Sequence, residues 1–180
     1  MDKILVYALS DSVGGIEEYV LNLSRYNEEK NKYEYIVLGN STPYEKELNR
    51  LGVKYYFISQ KHKIANNILG LSKVFKERRK ECSTVYFNTS ALCYPIPYLL
   101  AKIYDYKIVL HSHSMGTSGV RKYIHVFNRS WIGRICTVKM SCSTPAARWM
   151  FGKSVQNVYI VLPLAIVMMI ATLFVIKKIT

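Results

Sequence analysis

The chain has 180 residues, half of them apolar and 15 of them tyrosine. That is enough for one domain with a real core, or one domain and a short appendage, and too apolar for a disordered segment. Its net charge of +13 is uneven: residues 1–105 carry all 12 carboxylates and a net +3, whereas residues 106–180 carry 10 Lys/Arg and no carboxylate, so the second half is expected either to face a polyanion or to be solvated as an ordinary exterior.

Residues 3–9 read as a buried strand. Gly14-Gly15 then permit a tight turn, and Ile16, Tyr19, Val20 and Leu23 recur at spacings of three and four, the pattern of an amphipathic helix. Strands are predicted at 33–38, 53–58, 84–87, 107–110 and 137–140. Helices are predicted at 43–51, 62–81, 91–104 (interrupted early by Pro95 and Pro97), 121–135 and 145–151. This alternation predicts an α/β fold, a doubly wound parallel sheet with helices on both faces. Ligands of such sheets bind beyond the C-terminal strand ends, which brings residues 11–15, 88–90 and 111–114 to one rim. Residues 115–119 read as a flexible connector. Cys82, Cys93, Cys136 and Cys142 form no Cys-x-x-Cys pair and fit small buried hydrophobes in a reduced, cytoplasmic setting. No secretory leader is read at the start.

Residues 158–176 contain no charge and are closed by Lys177-Lys178, a run long enough to span a bilayer. The domains expected are therefore 1–157 and an apolar tail, 158–180. The tail begins as a last strand and continues either as a transmembrane-like helix or as a frame-shifted end.

A strand, a Gly-Gly turn and a helix N-terminus make an anion cradle. The free N–H groups of the first turn and the positive end of the helix dipole favour a phosphate, and neither glycine has a Cβ to block it. The same glycines also suit a turn that is merely tight. Gly-x-Gly-x-x-Gly is absent and no Gly-Lys-Ser/Thr follows, which excludes the dinucleotide fingerprint and the P-loop.

Gly14-Gly15-Ile16-Glu17-Glu18-Tyr19-Val20-Leu21-Asn22-Leu23 resembles the Gly-Gly-x-Glu-x-x-hydrophobic-x-x-Leu opening of GT-B glycosyltransferases of the family-four-like retaining group. Ser141-Cys142-Ser143-Thr144-Pro145-Ala146-Ala147-Arg148-Trp149-Met150-Phe151-Gly152 is similar to that family's Cys-Ser-x-x-Ala-Ala-x-x-hydrophobic-x-Gly segment. The two matches stand in the family's order and cover residues 1 to about 160. The resemblance implies the Rossmann-like, acceptor-side N-terminal domain of an enzyme that transfers a sugar from a nucleotide sugar. The acceptor implied is a capsule-type surface polysaccharide or a lipid-linked glycan. Two departures stand out. The family's Pro-Asn-Gly/Ala-Ile-Asp hinge is replaced by Leu162-Pro163-Leu164-Ala165-Ile166-Val167, and no pair of glutamates has the Glu-x7-Glu spacing of the donor-binding domain. A truncated chain, inactive alone, is the expectation. The alternatives are a non-catalytic membrane-associated binding module and one half of a split glycosyltransferase.

The resemblance implies that Gly14 and Gly15 give N–H groups to donor phosphate or acceptor, with Ile16 and Glu17 beside them. It also implies that His111 faces the transferred sugar as the catalytic-site histidine. His113 falls on the same side by the period of two, followed by Ser114; a structural histidine satisfied by backbone groups remains the other reading. His-x-His lacks further ligands and such enzymes are typically metal-independent, so no metal and no cofactor beyond the nucleotide-sugar co-substrate is expected. Ile124, Phe127 or Val126, Trp131 and Ile135 form an apolar stripe flanked by Arg121, Lys122, Arg129 and Arg134. The stripe either packs into the core or lies on the inner face of an anionic membrane. The expected partners are a nucleotide sugar, a glycan or lipid-linked acceptor, that membrane surface and a chain carrying the missing domain. No helix-turn-helix, RNP or zinc-ligand spacing appears, so nucleic acid is not expected.

Overall fold

The computed structural model describes residues 2–27, 32–152, 155 and 157–161. Among them, one sheet has the order β3-β2-β1-β4-β5-β6-β7 with every neighbouring pair parallel. Its strands are β1 (Lys3–Leu9), β2 (Tyr33–Leu38), β3 (Tyr55–Ile58), β4 (Cys82–Thr89), β5 (Lys107–Ser112), β6 (Val138–Ser141) and β7 (Val158–Ile160). The helices are α1 (Gly15–Arg25), α2 (Glu45–Leu51), α3 (Ile64–Arg78), α4 (Ile96–Ile103), α5 (Val120–Ile135) and α6 (Thr144–Phe151). The predicted doubly wound α/β fold is the observed one. Residues 162–180, where the transmembrane-like or frame-shifted tail was expected, lie outside the described residues. Among those described, no helix is long and apolar enough to cross a membrane.

Helices cover both faces, so the central strands are apolar runs rather than alternating ones. Successive β1 side chains still divide between the faces. Ile4 and Val6 join Val20 and Leu23 of α1 and Leu48 of α2 in one core. Leu5 and Tyr7 join Leu71 and Phe75 of α3, Ala101 of α4, Ile132 of α5 and Met150 of α6 in the other.

Three element boundaries differ from expectation in ways that matter. Pro95 and Pro97 do not interrupt a helix begun at residue 91; they start α4, with Pro95 as its N-cap. A first-turn residue has no intrahelical N–H partner to lose, so proline is tolerated there and not deeper. Strands β4 and β5 also run two residues beyond their predicted ends, pairing Asn88 with His111 and Thr89 with Ser112. That extension carries the polar residues into the sheet's upper rim.

The opposite rim is closed by a charge clamp. Glu34, 1% exposed, accepts from Arg78 Nε and Nη2 (2.8 Å each), Lys3 Nζ (3.0 Å) and Tyr56 Oη (2.8 Å). Glu81 closes the cluster on Arg78 and Lys3. Burial would raise the Glu34 carboxyl, but these hydrogen bonds outweigh it and hold the group below its ordinary value.

Candidate functional site

The sheet order reverses between β1 and β4, and a crevice opens above the C-terminal ends of strands at such a point. A cleft of about 300 Å³ lies there, lined among others by Ser10, Ile16, Glu17, Asn88, Lys61 and Arg121. The predicted rim is thus assembled from the segments after β1, β4 and β5.

The Gly14-Gly15 turn does open α1, but it is not an empty anion cradle. Glu17, third residue of the helix, folds back over its own N-terminus. Its Oε1 accepts from Ser10 Oγ (3.0 Å) and Ser12 Oγ (3.4 Å). A Cβ built on Gly14 would stand 2.7 Å from Glu17 Oε2, whereas one on Gly15 meets nothing within 4 Å. With Glu17 and Glu18 both in the first turn, the chain's own carboxylates already complement the positive end of the dipole. Close approach is open at Gly15 and covered at Gly14.

His111, expected to face the sugar, is fully buried. Its Nδ1 is 2.7 Å from Tyr86 Oη, which lies 2.9 Å from Tyr19 Oη. Its partner is therefore a tyrosine hydroxyl rather than a backbone group. His113 lies directly above, ring centroids 4.1 Å apart, and is only partly buried. His113 Nε2 donates to Asn88 Oδ1 at 2.9 Å. Burial, then the neighbouring His113, hold the His111 imidazole well below its ordinary range; burial lowers His113 to about 4. Both are neutral at physiological pH. Among the described residues, His111 Nε2 and Asn88 Nδ2 find no hydrogen-bond partner, so two buried polar atoms beneath this rim are unsatisfied. Ser114 is taken up locally, its hydroxyl bridging to the Gly116 backbone.

The expected apolar stripe of α5 divides. Trp131 and Ile135 pack against the core, but Ile124, Val126 and Phe127 of the stripe are exposed, Phe127 at 71%. Val120 and Tyr123, outside the stripe, are 74% and 76% exposed beside them. The buried face is instead His125, Asn128 and Ile132. Leu92 N–H donates to His125 Nδ1 (2.9 Å), His125 Nε2 donates to Trp149 O (3.0 Å), and Asn128 Nδ2 donates to Leu92 O (2.7 Å). Trp149 stacks on His125 and donates to Ser90 O. This polar staple fixes the β4–α4 loop, one wall of the cleft. Its i, i+3 spacing was visible in the sequence, but histidine and asparagine on a buried helix face contradict an amphipathic reading. Of the four basic residues singled out, Arg121, Lys122 and Arg134 are exposed, while Arg129 is tied to Trp149 O. Among the described residues, no group of three or more His, Cys, Asp or Glu could hold a metal.

Comparison with solved structures places this arrangement. The Anabaena protein HepE, solved in complex with UDP, superposes with a TM-score of 0.69 at 14% identity over 89% of this chain. A glycosyltransferase from Rickettsia africae gives 0.65 at 15% over 89%. Each match spans 43% of the other chain. The chain carries the fold of a GT-B N-terminal half. The UDP-GlcNAc 2-epimerase of Neisseria meningitidis, solved bound to UDP-GlcNAc, superposes with a TM-score of 0.56 at 11% identity, over 99% of this chain and 50% of that one. The chain thus spans half or less of the length of these structures. No family model and no curated protein matches it. In this GT-B half, the cleft lies where the strand order reverses.

Proposed function

We propose that the chain supplies the acceptor-side wall of a glycosyl-transfer site, in which a second GT-B half holds the nucleotide sugar and the acceptor is a polysaccharide or lipid-linked glycan. The observation that carries this reading is the convergence of Glu17, Asn88 and His113 at the switch point of a GT-B sheet. Each offers a neutral or acidic hydrogen-bonding group suited to hydroxyls. Glu17 already accepts from two hydroxyl groups, and a sugar can replace them. Asn88 Nδ2 is an unused donor, and His113 binds without charge. His111 acts beneath His113 as a positioning residue, and Gly15 leaves room for close approach. One wall orients an acceptor but does not stabilise the departing nucleotide, so it forgoes most of the catalytic effect.

The test is to incubate the 180-residue chain with oligosaccharide acceptors and UDP-sugars, alone and with a chain carrying a donor-binding half. Saturation-transfer NMR is expected to show glycan contact by the chain alone, with sugar transfer only in the mixture. Turnover by the chain alone would overturn the division of labour. Glycan contact without transfer in any mixture would favour a non-catalytic binding module. Absence of glycan contact would overturn the acceptor-side assignment.

A second observation extends the reading. Val120, Tyr123 and Phe127 stand outward at i, i+3 and i+7 beside Lys122 and Arg134. Exposed apolar side chains set among cations match an anionic lipid surface, where a lipid-linked acceptor would be found.

A further inference from the structure

The loop between β4 and α4 supplies Thr89, Ser90 and Ala91 to the cleft wall, and side chains of α5 and α6 hold it at three backbone atoms. Trp149 Nε1 donates to Ser90 O at 3.1 Å, Asn128 Nδ2 donates to Leu92 O, and Leu92 N–H donates to His125 Nδ1. Only the last of these ties depends on a group that gains a proton near neutrality.

His125 is fully buried, and its two ring nitrogens are engaged in opposite senses. Nδ1 faces an N–H and must accept, whereas Nε2 faces the Trp149 carbonyl and must donate. The partners therefore select the neutral ring with its hydrogen on Nε2. A second proton has to enter at Nδ1, where it points at the Leu92 N–H, donor against donor.

The surroundings offer the resulting cation no counter-charge. Arg129, one turn along α5, donates to the same Trp149 O at 3.0 Å, and Arg121 lies one turn before. Helix α6 brings Arg148, which is exposed. The loop brings Cys93, whose thiol donates to Arg121 O, and Tyr94, whose hydroxyl donates to Asn67 Oδ1. Neither helix and no residue of the 90–95 loop is a carboxylate. Burial lowers the His125 imidazole below its ordinary range; the hydrogen bond to Trp149 O opposes this and the Arg129 charge adds to it.

We propose that His125 is a positioning residue whose protonation state sets the Ser90–Leu92 wall of the cleft: the neutral ring holds Leu92, and the protonated ring releases it and weakens glycan binding. This rests on the acceptor-side reading and adds a regulation to it. Asn128 and Trp149 keep their ties to Leu92 O and Ser90 O, so the wall shifts rather than unfolds. The hold is complete above about pH 6.5 and is lost as pH falls through the lowered value.

Nitrogen-15 NMR of the whole chain between pH 7.5 and 5 tests this, reading the His125 ring nitrogens, the Ser90, Ala91 and Leu92 amides and the Trp149 indole N–H together. His113, at about 4, stays neutral over that range. The expected result is the Nε2–H tautomer at pH 7.5 and loop shifts that titrate with the His125 ring. Maltotriose affinity should fall about fivefold over the same step, the scale of one neutral hydrogen bond. His125→Gln offers an acceptor and a donor that do not titrate, so it should abolish the step. His125→Leu offers neither and should show the released loop at every pH; if it does not fold, the parent and His125→Gln decide. A ring still neutral at pH 5, an Nδ1–H tautomer at pH 7.5, loop amides that ignore the ring, or a step that survives in His125→Gln would overturn the inference. A loop that titrates as described while maltotriose makes no contact at any pH defeats the acceptor-side reading alone. Maltotriose contact indifferent to the step defeats this inference alone.

Discussion

Replacing Arg78 by methionine should test how the lower rim holds the sheet. Arg78 gives Glu34 two hydrogen bonds of 2.8 Å, and Glu34 is 1% exposed. The variant leaves that carboxylate to Lys3 at 3.0 Å and Tyr56 at 2.8 Å. Breaking one side of a buried pair costs about 3–5 kcal/mol, and the surviving lysine puts this case at the lower end, about 3 kcal/mol. For a domain near 160 residues that is a fall in Tm of roughly 6–12 °C. Urea unfolding followed by circular dichroism measures it. The pH dependence carries the sign. In the parent, Glu34 is held below its ordinary value, so its stabilisation is present above about 4.3 and lost as pH falls through the lowered one. Without Arg78, burial dominates and the carboxyl is raised, so acid relieves the variant while it weakens the parent. The gap between the two should narrow between pH 7 and about pH 4. Converting the pair together, Glu34→Leu with Arg78→Met, should recover much of the loss. A single-variant cost below about 1 kcal/mol, or a double variant no better than the single, would refute the account of the clamp.

Three further outcomes follow from other parts of the molecule. His113 titrates near 4 when folded against about 6.5 unfolded, so the unfolded chain binds the proton first. Stability is full above about pH 6.5 and falls by about 3 kcal/mol on descent to pH 4, and His113→Gln should flatten that limb in urea titrations at stepped pH. Gly15→Ala meets open space in a helix and should be neutral or stabilising by up to about 1 kcal/mol, whereas Gly14→Ala must displace the Glu17 carboxylate. A chemical-shift perturbation at Ser10 and Ser12 in the Gly14 variant only is the expected signature. Tyr123→Ser and Phe127→Ser should each lower co-sedimentation with phosphatidylglycerol vesicles about tenfold without changing Tm by more than about 2 °C; unaltered sedimentation would remove the membrane reading.

The element order and the position of the rim were legible because apolar runs and glycine-proline punctuation report local geometry. The Gly-Gly helix opening was legible for the same reason. The occupancy of that opening was not, since a glutamate at the third helical position reads equally as a cap and as a ligand group until its carboxylate is located. His111 and His113 were correctly put on one side of β5, but which of them is buried depends on Tyr19 and Tyr86, brought in by α1 and β4. Helix α5 misled for a physical reason. Periodicity assigns apolar residues to the core, and here the core position is filled by His125 and Asn128 because the Leu92 backbone needs a donor and an acceptor there.

The strand order also converts a partition of the sequence into one of space. Strands β3, β2, β1 and β4 belong to the part that holds every carboxylate, and β5, β6 and β7 to the part that holds none. Seven strands at about 4.8 Å spacing extend roughly 29 Å, so the charge imbalance runs across the width of the sheet as a permanent electric moment. In the field of a negatively charged body the molecule is turned before it touches, with the β5–β7 edge leading. Added salt should therefore slow arrival more than it hastens departure.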